Sequence, residues 1–166
     1  MTDTKALKSV DEHISSETKK NIVINIVING AIAYATLRSL VEISAWGENG
    51  YGKDLLISAF ILSTILGGIF IALFRHKKNK QQIEPDGTEG SSLAWLIPYS
   101  PWLAAPWIGV LGAVIAAPAL LGILMLAGVE TLTPVSYAII KGIWAGVLAG
   151  IIVPIAIRQG LRSQPI

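Results

Sequence analysis

Cysteine is absent from this 166-residue chain. That excludes a disulfide framework, a thiolate metal site and a cysteine nucleophile. Histidine is nearly absent. His13 and His76 lie far apart and have no metal-ligand spacing. Charge is also scarce: 14% of residues are charged, against about 25% in an ordinary soluble domain. The formal net charge of +2 is too small to argue for a nucleic-acid partner. No HExxH, no GxSxG and no glycine-rich phosphate loop after a strand occurs. The sequence therefore implies no catalytic residue, no metal, no cofactor and no enzyme. The first twenty residues are polar and acidic (Asp3, Asp11, Glu12, Glu17). A secretory signal has a basic start and a short apolar run, so the first apolar stretch is expected to be retained.

What the chain has is long apolar stretches, at about Ile22 to Ile43, Leu55 to Phe74, Leu103 to Ala127 and Val135 to Ile157. About 20 apolar residues at ~1.5 Å rise cross a ~30 Å hydrocarbon core. The expected fold is all-α: a polytopic membrane protein with a four-transmembrane-helix bundle built from two similar tandem hairpins. A polar tail over 1–20 precedes hairpin 1 over 21–75. A linker over 76–100 leads to hairpin 2 over 101–158, and 159–166 forms a short tail. Ser100 before Pro101 and Thr133 before Pro134 read as N-caps with proline at the first helical position. Asp54 reads as a cap for the second span. Leu7, Val10 and Ile14 have the spacing of a short interfacial helix.

Apart from Arg38, Lys53 and Lys141, every Lys and Arg lies before span one, after span two or after span four. With an even number of spans these segments share one side, which the positive-inside rule names cytoplasmic. The expected location is a bacterial inner (plasma) membrane with both termini inside. Trp46 and Tyr51 would mark the outer interface, and Trp95, Tyr99, Trp102 and Trp107 the inner one.

Sliding the chain against itself by 82 residues places Ile26, Gly30, Ala31 and Ala35 on Ile108, Gly112, Ala113 and Ala117. It also places Ile57, Ile61, Leu66, Gly68 and Ile69 on Ile139, Ile143, Leu148, Gly150 and Ile151. The ungapped register suggests a parallel repeat, whose axis would run along the membrane normal.

Span four carries Gly142, Gly146 and Gly150 on one face, and the repeat places Gly68 opposite Gly150. Such rows admit a neighbouring backbone closely, either in the same chain or in another copy. Pro118 and Pro154 interrupt helical hydrogen bonding inside spans three and four. Span one stacks Asn21, Asn25 and Asn29 on one face, with Thr36 near it. Amides in hydrocarbon need partners, so this face reads either as interhelical glue or as a polar path. Arg38, Glu42 and Lys141 either snorkel to the outer interface or form a candidate intramembrane charge cluster, in which Glu42 pairs with Arg38 along its own helix or with Lys141 from span four.

Two functional classes follow. One is passage of an ion or small solute by an oligomer, suggested by the asparagine face, the prolines and the charges. The other is a non-transporting interaction protein, an accessory subunit or an immunity or assembly factor. The partners implied are the lipid bilayer, a second copy or a larger membrane complex.

Overall fold

The structure is a computed structural model, and it describes residues 9–83 and 96–162. Helix α1 spans Val10–Leu37 and α2 spans Tyr51–Asn79. The third span is α3 (Pro101–Leu111), a π-helical segment (Gly112–Ala116) and α4 (Ala117–Leu126) in succession, followed by α5 (Pro134–Leu161). Two short strands, β1 (Ile43–Ser44) and β2 (Thr131–Leu132), pair antiparallel between the two interhelical connections. Four helices among the described residues are long and apolar enough to cross a membrane, as in a multi-pass integral membrane protein. Leu7, Trp95 and the rest of linker residues 84–95 lie outside the described residues.

The helix starts follow local chemistry. The Ser9 hydroxyl accepts from Glu12 N–H at 3.2 Å, satisfying one of the free donors of α1. Thr133 does the same for Ser136 N–H at 3.2 Å, with Pro134 at the first helical position. Ser100 caps α3 by position, without a side-chain bond. Asp54 does not cap α2; that place belongs to Gly50, and Asp54 sits in the first turn. The reason is steric. A Cβ at Gly50 or Gly52 would lie 2.8 Å from the Ala45 carbonyl, so the loop closes on the helix start only at glycines. Helix α4 ends in a Schellman motif: Gly128 takes φ +70, its N–H reaches Met125 O, and Val129 N–H reaches Leu124 O.

Two expectations about span one are corrected. The tail does not form a separate interfacial helix; Val10 and Ile14 belong to the continuous α1 and pack on the bundle. At the other end α1 stops at Leu37, so the apolar residues up to Ile43 are not helical. Leu40 and Ile43 instead pack under the paired connections, where Ile43 is buried against the core. Apolar burial outside a helix prolongs the hydropathy run without prolonging the helix.

Helix α1 lies along α5, α5 also packs on α2, and α2 carries α3 and the π segment. The main seams therefore join elements distant in sequence. Gly142 and Gly146 let α1 approach: added Cβ atoms there would stand 2.7 Å from the Ile26 carbonyl and 2.5 Å from the Ile26 side chain. Gly150 faces Ile22 and Gly68 faces Ala105. Gly109 presses on Thr64 and the Phe60 carbonyl, and Gly112 on Ser63. The glycine row is used inside the chain.

Pro118 explains the π segment. It has no N–H for the carbonyl four residues back, and its ring crowds that carbonyl. The helix widens, and Ala117 N–H bonds Gly112 O across five residues. Trp144 of α5 donates its indole N–H to the Ala116 carbonyl at 3.3 Å. Pro154 lies within the unbroken α5.

Candidate functional site

At the strand-bearing end of the bundle, α2 and α5 bring together one acid, one base and one phenol. Asp54 is in the first turn of α2. Tyr137 and Lys141 are four residues apart on α5, hence on one face. Lys141 Nζ donates to Asp54 Oδ2 at 2.5 Å, and Tyr137 Oη donates to the same oxygen. Asp54 Oδ1 accepts from Ser58 Oγ at 3.4 Å. The Lys141 side chain is 5% exposed and that of Asp54 39%. The pair is thus buried on its cationic side and open on its anionic side. Tyr51 supports it from below the loop: its ring stands 5.9 Å from that of Tyr137, and its hydroxyl donates to Val129 O at 2.8 Å.

The open side faces a cleft of about 270 Å³ between α1 and α2. Thr36 and Ala33 of α1 line it, with Glu48, Asn49, Lys53, Asp54 and Lys141. Below it, α1 carries the asparagine row. Asn21, Asn25 and Asn29 each donate Nδ2 to the carbonyl four residues back, at 2.9, 2.8 and 3.1 Å. Asn29 also reaches Asn25 Oδ1 at 3.2 Å. Thr36 Oγ1 donates to Ile32 O at 2.8 Å. Asn25 is buried, at 7% exposed. The donors are satisfied by their own helix rather than by another one. Four-residue steps carry this row from Asn29 to Ala33, and so to the cleft wall.

The expected cluster of Arg38, Glu42 and Lys141 is not assembled. Because α1 ends early, Arg38 is its C-cap and Glu42 lies in the connection, both exposed. No ion pair joins either of them to Lys141, whose partner is Asp54. The sequence signal for Asp54 was an acid at the start of span two, at a depth that a lysine two turns into α5 can reach. Among the described residues no three His, Asp or Glu side chains gather as metal ligands.

Comparison of the chain with protein-family models, curated proteins and solved structures finds no match.

Proposed function

We propose that this multi-pass membrane protein, without enzymatic chemistry of its own, passes an ion or small solute as an oligomer, with the Asp54–Lys141 cleft as the outer mouth. One observation carries the reading: the asparagine row of α1 ends at Asn29, one turn below Ala33 in the wall of the cleft that holds the ion pair. A buried amide such as Asn25 and a buried charge such as Lys141 cost free energy in hydrocarbon, and both lie on the flank where α1 meets α5 and the cleft. The packing supports an oligomer. Helices α2 and α5 pack on each other and bury Leu55, Ala59, Ala145 and Ala149 completely, which argues against a passage between them. By contrast, only 17% of the span window of α1 is buried, against 56% for α5. A second copy over α1 would cover its exposed Val23, Ile24, Val27 and Ile28 and shield the half-buried Asn21 and Asn29 beside them.

The basic residues support an orientation with both termini cytoplasmic, in a bacterial inner membrane. The packing supports a duplication. Under the 82-residue shift α1 corresponds to span three and α2 to α5. The α1–α5 seam then maps onto the α3–α2 seam, and the α2–α5 seam onto itself.

The test is flux through purified protein in liposomes, screening small cations, anions and neutral solutes. Flux is expected from the native chain and at least tenfold less from Asn29→Leu and from Asp54→Asn. Absence of flux for every solute, with a larger membrane complex co-purifying, would establish the second reading, a non-transporting interaction protein. The internal use of the glycine row favours that second reading, since it gives the chain a stable monomeric bundle to present to a partner.

A further inference from the structure

A second cavity lies at the opposite end of the bundle and has the opposite chemistry. It is a groove of about 280 Å³ between α5 and the α3–π face. Leu96 and Ile97 form its mouth, and Ile115, Leu148, Ile152 and Ile155 are among its walls; every lining residue is Leu, Ile, Ala or Gly. Ile115 and Ile151 on its rim are exposed, so it opens sideways to the surroundings of the helices. Its lining residue Leu148 lies one turn from Trp144, whose indole bridges α5 to the Ala116 carbonyl. By helical rise, Leu148 to Ile155 covers ~10 Å, part of one leaflet.

The mouth is fixed by polar contacts. Buried Gln159 donates Nε2 to Ile97 O at 3.4 Å and to Pro98 O at 3.0 Å. Arg75 of α2 donates one N–H to Tyr99 O at 2.9 Å and lays its guanidinium 4.6 Å from the Tyr99 ring centre. Its Nε is buried and has no hydrogen-bond partner among the described residues, while Arg75 as a whole is only half-buried. A guanidinium has five donors in a fork that suits phosphate. Asp11 of α1 lies 3.8 Å from Arg158, and among the described residues no carboxylate forms an ion pair with Arg75.

We propose that the groove holds one acyl chain of an anionic phospholipid, with the headgroup phosphate on Arg75. The observations match both parts of such a ligand: a wholly apolar slot open at its side, and a half-buried arginine bonded to Tyr99, two residues along the chain from Ile97 of the groove lining. The proposal rests on the membrane reading and not on whether anything is transported.

The test uses the full purified chain in detergent, titrated with phosphatidylglycerol or with phosphatidylcholine of identical chains. Binding is followed by native mass spectrometry and by thermal unfolding. Phosphatidylglycerol is expected to bind roughly five-fold tighter, the effect of one arginine near an anionic surface, and to raise the unfolding temperature more. Arg75→Gln should abolish that preference and keep residual binding of both lipids. Arg75→Lys should restore part of it. Ile155→Trp, which fills the groove, should remove binding of both. Equal binding of the two lipids by the native chain overturns the proposal. So does a folded Ile155→Trp that binds like the native chain. If Ile155→Trp does not fold, the Arg75 series decides alone.

Discussion

Lys141 is the most constrained charged residue of the described chain. It is buried, and Asp54 supplies its only ion pair there. The two partners are unequal, so their removal should be unequal. Asp54→Ala strands a buried ammonium, and breaking a buried pair in that way costs up to ~3–5 kcal/mol. Lys141→Met strands a carboxylate that is 39% exposed and can take water, so its cost should be less than half as large. The double variant should recover more than ~1 kcal/mol relative to the sum, the coupling expected of a contacting pair. Glu42→Gln combined with Lys141→Met should be additive, since Glu42 is exposed and unconnected to Lys141. Reversible unfolding in detergent measures all of these. An additive Asp54–Lys141 double variant would refute the pair. Sequence made Lys141 visible as a costly charge but misplaced its partner. Hydropathy extended span one to Ile43, and that put Glu42 at the wrong depth.

At the scale of elements, the legible features were those written in local chemistry. Length and apolarity gave the four helices, and Thr133–Pro134 gave the start of α5. Ser9 with Glu12 was an equally local signal at the start of α1 that the polar tail concealed. The π segment was less legible, because Pro118 predicts only that a bond is lost. The widening depends on how α2 and Trp144 hold the surrounding turns. The glycine row promised a close contact without naming the neighbour. That neighbour is α1, through Ile22 and Ile26, and this makes the effect of substitution position-specific. At Gly146 a side chain meets Ile26 at 2.5 Å from its Cβ alone. Gly146→Leu should therefore destabilise by ~1–3 kcal/mol or more, as overpacking does. Gly122 of α4 has nothing within 4 Å of an added Cβ. Gly122→Ala should stabilise by about 0.5–1 kcal/mol through helix propensity. Thermal unfolding of the two variants separates them, and a Gly146→Leu variant as stable as the native chain would remove the α1–α5 seam from the account.

For the whole molecule, the order in which helices pack differs from the order in which they are made. Reading the sequence as two hairpins suggests two units that each fold and then dock. In the structure α1 finds its main neighbour in α5, and α2 finds its neighbours in α5 and α3. The seams that exclude lipid thus lie between the halves. The strand pair Ile43–Leu132 and Ser44–Thr131 also joins the halves at their interhelical connections. Helix association in a bilayer relies on close packing rather than on hydrophobicity, so a half without its seams has little to hold it together. Cutting the chain within 84–95 tests this. Each half made alone should be degraded or aggregate, because the close glycine contacts of Gly142, Gly146, Gly67 and Gly109 all cross the cut. The two halves made together should co-purify and recover the unfolding temperature of the intact chain to within a few degrees, since the severed linker closes only a loop whose entropy varies slowly with length. Co-purification should fail when the first half is paired with a second half bearing Gly146→Leu. If the first half alone proves as stable as the intact chain, α1 and α2 hold each other, and the interleaved arrangement of the bundle is wrong.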